Sequence, residues 1–434
     1  MAATEPASQE ARNPAGHRAM VVFVVFLFFA WGFATVLIDT LIPKLKALFS
    51  LNYAEVMLTQ FAFFLGYLVF SMPAAVILSR IGYTRSIVLG LLVMAAGCLL
   101  FVPAASAGVF EGFLLALFVM AAGITTLQTA ANPYMAVLGP ESTSSSRLTL
   151  AQAFNSLGTT IGPLVGAAFI LADEPSLPAG GLSGDALAAA RHAEASAVLP
   201  PFLGIAATLV VVAIVFWKKR NSDTTVTVGG AASLGESFRV LRRPRLALGA
   251  ASIFVYVGAE VAIGSLLVNY LMQPDVLDVP AARAGQLVSL YWGGAMVGRF
   301  IGAAILRRMS PGLVLACCAI GAAALASASS VSVGMIAAVA ILAVGLCNSI
   351  MFPTIFTLAL EGLGEEKPAG SGALCMAIVG GALIPRVAGT VADNLGIAAS
   401  FMVPAICYLW IMAYGVLCWR GLSQGSDAQA ASAR

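Results

Sequence analysis

Charge is scarce in this sequence. Only 10% of its 434 residues are Asp, Glu, Lys or Arg, against roughly 25% in soluble domains. The net charge of +3 is too small for the basic face that nucleic-acid binding requires, so no nucleic-acid partner is expected. Histidine is rarer still, with 2 in the chain, both outside the apolar runs. The 7 cysteines (Cys98, Cys317, Cys318, Cys347, Cys375, Cys407 and Cys418) lie in apolar surroundings. None has metal-ligand spacing with histidine, which argues against a metal site or a disulfide framework. The phosphate-loop pattern G-x-x-x-x-G-K-[S/T] and the zinc-protease pattern H-E-x-x-H are missing. ATP-driven pumping is therefore unsupported, and the chain does not read as an enzyme.

Long apolar runs dominate instead. The chain is 60% hydrophobic with a mean hydropathy of +0.95. A soluble fold of this length could not hide so much apolar surface, whereas a lipid bilayer is the solvent that accepts it. A spanning helix needs about 20 mostly apolar residues. Twelve such runs are present, near 20–42, 54–78, 85–104, 110–138, 147–171, 198–217, 246–272, 283–306, 311–329, 332–360, 369–392 and 397–419. The first is read as a mature helix and not as a signal peptide, because no cleavage site follows a short apolar core. The expected fold is an all-α membrane protein of twelve transmembrane helices.

Basic residues orient it. With the N-terminus inside, seventeen Lys and Arg fall on inner segments and only Lys44, Lys46, Arg191 and Arg283 on outer ones. This bias places both termini in the cytoplasm. The longest basic connection splits the chain into a cytoplasmic tail at 1–19, a six-helix half at 20–217, a linker at 218–245, a second half at 246–419 and a tail at 420–434. The halves are weakly alike. Gly123 and Pro163 match Gly345 and Pro385 at one offset, Gly66 and Arg80 match Gly293 and Arg307 at another, and Leu-Gly-Pro-Glu at 138–141 echoes Leu-Gly-Glu-Glu at 363–366. Parallel six-helix repeats are a transporter design, with solute held between them near the midplane.

An ionisable side chain inside a span costs about 2.5–3.5 kcal/mol, so it must pair, face water or act. Four stand out: Asp39, Glu260, Arg299 and Arg386. Asp39 shares a helix face with Thr35 and is the candidate proton carrier; the alternative is a carboxylate capped near the outer surface. Glu260 shares a face with Tyr256 and reads equally as a solute or proton site and as a helix tie. Arg299 suits packing or gating toward the inner end. Arg386, beside Pro385, is open between structure and gating.

Uncharged polar stripes accompany them. Thr125, Gln128 and Asn132 lie on one face of the fourth run, and Gln152, Asn155 and Thr159 on one face of the fifth. Amides donate and accept hydrogen bonds, as sugar hydroxyls do, so the stripes suit a polyol better than an ion. The competing reading is interhelical glue. Asn269 and Asn348, with the aromatics Trp31, Tyr256, Tyr291 and Trp292, could complete a site with flat walls.

Several segments resemble the major facilitator superfamily, in particular the family of the L-fucose:proton symporter and the bacterial glucose/galactose transporters. They are FFAWGFATVLIDTLIPKLK at 28–46, LQTAANPYMAVLGPE at 127–141, RLTLAQAFNSLGTTIGP at 147–163, FVYVGAEVAIGSLLVNYL at 254–271, YWGGAMVGRFIGA at 291–303, NSIMFPTIFTLALEGLG at 348–364 and GSGALCMAIVGGALIP at 370–385. The resemblance implies alternating access between two six-helix halves and proton-driven sugar uptake by a monomer in the bacterial inner membrane, with no cofactor. It sets Asp39 at the family's proton-carrying aspartate and Gln152 and Asn155 at its sugar-contacting amides. Gln128 stands where the fucose symporter has glutamate, which shifts the expected solute to an aldohexose such as glucose, galactose or mannose. Alternatives are an L-fucose or other deoxysugar symporter, a sodium-coupled or facilitated sugar transporter, and a sugar receptor that does not transport.

Overall fold

The structure, a computed structural model, describes residues 14–39, 53–107, 110–170, 185–220 and 234–432. Among them the elements are almost all helix. Six come first: α1 Pro14–Asp39, α2 Tyr53–Ile81, α3 Tyr83–Ala107, α4 Phe110–Val137, α5 Ser144–Ile170 and α6 Asp185–Lys218. A short α7, Leu234–Arg239, follows. The remainder are α8 Pro244–Leu271, α9 Ala281–Ile305, α10 Pro311–Val331, α11 Gly334–Asn348, α12 Met351–Leu360, α13 Lys367–Met376, α14 Gly380–Leu395, α15 Ile397–Ser400 and α16 Met402–Ser432. Nine stretches among the described residues are long and apolar enough to cross a membrane, and Met20–Thr35 and Phe202–Lys218 form shorter apolar helices. Helix is the form this composition demands, since lipid offers no partner to an open backbone group.

The structure departs from the sequence expectation in four places, one of them set by proline. The run expected at 332–360 is two helices, α11 and α12, broken at Ser349–Ile350. Pro353 has no N–H for the carbonyl of Ser349 four residues back, so the ladder is interrupted there. The run at 369–392 is likewise divided by a 3-10 turn at Ala377–Val379. The acidic connection before 198 is helical from Asp185, and α16 continues to Ser432, past the run ending at 419.

The pairing of helices follows one scheme twice. In the first set α1 packs on α5, α3 on α4 and α6, and α2 on α4. In the second, α8 packs on α14, α10 on α11 and α16, and α9 on α11. Glycine permits the closest approaches: a Cβ on Gly345 would stand 2.1 Å from the Tyr291 carbonyl oxygen. Large apolar side chains such as Leu115, Val211, Val331 and Ile336 are exposed on the outside of the bundle, the surface that lipid covers.

The two sets meet through α2 with α13 and α5 with α9. Three of their polar links lie toward the end of the bundle that carries Arg80, Arg147, Arg307 and Lys367, called here the basic end. Ser145 and Thr357 share a hydrogen bond of 2.6 Å. Ser146 donates to the Ala303 carbonyl at 2.6 Å, and Ser371 donates to the Thr129 carbonyl at 2.7 Å. A small cavity at this end is lined by Pro133, Glu141, Ser144, Thr357, Glu361 and Lys367, among others.

Candidate functional site

Two buried polar clusters form, one in each helix set. In the first, the Tyr67 hydroxyl of α2 donates to Gln128 Oε1 of α4 at 2.8 Å. One turn along α4, Asn132 Oδ1 lies 3.5 Å from Gln152 Nε2 of α5. Gln128 and Gln152 are each 7% exposed and Asn132 is fully buried. The stripes therefore converge, because α4 and α5 turn their amide faces toward each other. Among the described residues, Asn132 Nδ2 and Thr125 Oγ1 are buried without a hydrogen-bond partner. A buried amide donor left unpaired costs about 1–3 kcal/mol, and such a group marks a place where a ligand or water fits.

In the second set, the Tyr256 hydroxyl of α8 lies 2.9 Å from Glu260 Oε1 and 3.2 Å from the Asn348 carbonyl oxygen at the end of α11. Asn348 Nδ2 donates to the Tyr291 hydroxyl of α9 at 2.8 Å; Asn348 Oδ1 is buried without a hydrogen bond among the described residues, with the Tyr408 hydroxyl of α16 beside this amide. Here too an amide is held at one end.

Arg299 joins the clusters. Its Nε donates to the Ser349 carbonyl at 3.2 Å, the carbonyl that Pro353 leaves without a helical partner. Its guanidinium also donates to Ser156 Oγ of α5, one turn from Gln152. The guanidinium acts electrostatically on Glu260, yet no direct ion pair between them exists among the described residues, where the ion pairs are Arg243–Glu366 and Arg245–Glu361. Arg299 thus ties the two sets together in this structure.

The remaining candidates lie apart from these clusters. Asn155 Nδ2 donates to the Phe28 carbonyl of α1 at 2.9 Å, which makes it an α1–α5 tie in this state. Asn269 is exposed near the end of α8, and Arg386 is exposed on α14 with no ion-pair partner among the described residues. Trp292 is 45% exposed and meets Tyr291 edge-on, with ring centroids 5.1 Å apart. Asp39 is the last residue of α1, and its side chain falls outside the described residues. Sequence reasoning did not single out Tyr67, Ser156, Ser349 or Ser371. Pro133 and Pro353 carried part of that signal, since each frees the carbonyl four residues earlier, at Thr129 and Ser349.

A bundle with apolar residues outside, a buried polar cluster in each of two repeated helix sets and an arginine tying the sets together defines a multi-pass membrane protein of the secondary-transporter class. The chain belongs to the Major Facilitator Superfamily, whose pattern matches residues 21–378. It is 47% identical to a glucose/galactose transporter of Brucella abortus over 412 residues, which cover 95% of this chain and 97% of that protein. It is 35% identical to the L-fucose-proton symporter of Escherichia coli over 403 residues, covering 89% and 90%. The crystal structure of the superfamily transporter FucP in the outward conformation superposes with a TM-score of 0.85 at 32% identity, over 93% of this chain and 99% of that one. The resemblance drawn from the sequence motifs is borne out.

Proposed function

We propose that this chain is a proton-coupled symporter that takes up an aldohexose such as glucose, galactose or mannose by alternating access. The observation that carries the reading is the pair of buried amides, Asn132 and Asn348, one in each helix set, with a donor and an acceptor unsatisfied among the described residues. A sugar hydroxyl supplies both an acceptor and a donor. The glucose/galactose transporter at 47% identity supports the hexose, and the L-fucose-proton symporter supports the coupling ion.

In this reading the chain has twelve spans in two six-helix halves, 20–217 and 246–419, and works as a monomer in a bacterial inner membrane. The basic end faces the cytoplasm, as the lysine and arginine bias requires. Asp39 takes up a proton from outside. An ionised carboxylate is costly to occlude, so reorientation waits for its neutral form, and that requirement couples the two fluxes. The neutral Gln128, held by Tyr67, cannot titrate, and this favours facilitated diffusion as the second reading. Uptake of labelled D-glucose into proteoliposomes separates them. Accumulation driven by an inward proton gradient supports symport, accumulation under a sodium gradient changes the ion, and simple equilibration supports facilitated diffusion.

A further inference from the structure

The Tyr256 hydroxyl has one hydrogen and two acceptors within reach. It lies 2.9 Å from Glu260 Oε1 and 3.2 Å from the Asn348 carbonyl oxygen. If Glu260 is ionised, the tyrosine hydrogen goes to the carboxylate and the Asn348 carbonyl loses it. If Glu260 carries a proton, its own O–H donates to Tyr256 Oη and the tyrosine donates on to Asn348. Only the second assignment satisfies both short contacts.

Arg299 gives an independent argument for the same state. A guanidinium and a carboxylate at membrane depth strongly favour direct, bidentate pairing. Here Arg299 instead donates to two neutral oxygens, the Ser349 carbonyl and Ser156 Oγ. It reaches across to the other helix set while a carboxylate of its own set stands within electrostatic range. A neutral Glu260 removes the reason to pair. The ionisable groups facing Glu260 are Tyr256 on its own helix, Arg299 and Tyr291 on α9, and Tyr408 on α16. Among the described residues α12 carries no charged side chain, and the charged residues of α14, Arg386 and Asp393, are exposed.

We infer that Glu260 is a second protonation site of the cycle, in the second half of the molecule, and that Arg299 exchanges between Ser156 and Glu260 as the halves part. With the basic end closed, Glu260 holds its proton and Arg299 ties α9 to α5. When the halves separate at that end, Ser156 is withdrawn and the guanidinium turns to Glu260. The carboxyl proton leaves to water in the opened cavity, and the cation and new carboxylate remain as a neutral pair. That neutral pair lets the emptied carrier return. The inference rests on the proton-symport reading and deepens it, since Gln128 leaves the first half with Asp39 alone.

The test is sugar counterflow in proteoliposomes, measured without an imposed gradient across a range of pH, alongside proton-driven accumulation. Wild type is read first: if it exchanges sugar but never accumulates it under a proton gradient, proton symport itself fails, whatever Glu260 does. With symport established, Glu260→Gln is expected to weaken the alkaline fall of counterflow, leaving only the part that Asp39 sets, and to move fewer protons per sugar. A wild-type pH profile and a wild-type proton count in this variant overturn the inference. So does loss of sugar binding in a variant that melts like wild type, which would make Glu260 a sugar ligand. Ser156→Ala provides the check that spares the carboxylate. Freed from Ser156, Arg299 stabilises ionised Glu260, so the alkaline fall should shift to lower pH. An unmoved profile in folded Ser156→Ala refutes the exchange of Arg299.

Discussion

Removing one hydroxyl should open the basic end. Ser371 is fully buried, and its hydroxyl donates across the seam to the Thr129 carbonyl at 2.7 Å. That carbonyl has no helical donor, because the residue four positions on is Pro133. In Ser371→Ala it becomes a buried acceptor without a partner. The cost is about 1–3 kcal/mol, and it falls on the closed state alone, since water reaches the carbonyl once the halves part. The balance between closed and open basic ends should therefore move roughly 5- to 150-fold toward open. A cysteine placed at Ala136, which lines the cavity at this end, reports the change through its rate of labelling by a membrane-impermeant maleimide in inside-out vesicles. The seven native cysteines are accounted for by labelling the parent protein. Faster labelling of Ala136→Cys in the Ser371→Ala background is expected. An unchanged rate would show that this hydrogen bond does not hold the halves together, and the reasoning from proline to latch would fail with it.

Other outcomes follow from the same geometry. Asp39→Asn should abolish proton-driven accumulation in vesicles while leaving counterflow; continued accumulation would remove Asp39 from the coupling path. Tyr67→Phe deletes the donor that orients Gln128 and should weaken sugar binding about tenfold, near 1.4 kcal/mol, as read by equilibrium binding. Gly345→Ala puts a Cβ 2.1 Å from the Tyr291 carbonyl oxygen and should lower stability by about 1–3 kcal/mol, measured as a fall in melting temperature. Burial pushes the Glu361 carboxyl above its usual range, and Arg245 beside it holds it down. Arg245→Met removes that restraint, so the folded-state value rises further above the unfolded one. The stability lost should therefore grow as pH rises, about 1–2 kcal/mol for this partly exposed pair, with melting near wild type in acid and lower in mild alkali.

The helices were legible because lipid imposes one rule, about 20 apolar residues for each crossing. The breaks were less so. The run at 332–360 reads as one span, and only Pro353 hints that the chain bends at Ser349, where Arg299 then finds a carbonyl. The amide stripes were visible because Gln128 and Asn132 repeat at helical spacing. Their partners were not, since Tyr67 lies in a distant helix and one tyrosine in an apolar run looks like any other. Serine carried the least signal. Ser145, Ser146, Ser156 and Ser371 make cross-set contacts, yet a helical serine ordinarily bonds its own backbone, as Ser252 does to Leu248, and nothing local marks the difference. Asn155 shows the reverse, since its face was readable but its bond to the Phe28 carbonyl depends on how closely α1 packs on α5.

The most direct test of the account is uptake of labelled D-glucose into proteoliposomes under an imposed inward proton gradient, with unlabelled hexoses as competitors. Transient accumulation above the external concentration, collapsing with a protonophore and blocked by aldohexoses, is expected. Flux that stops at equilibrium would contradict the coupling, and absence of flux with every hexose in folded protein would contradict the substrate class.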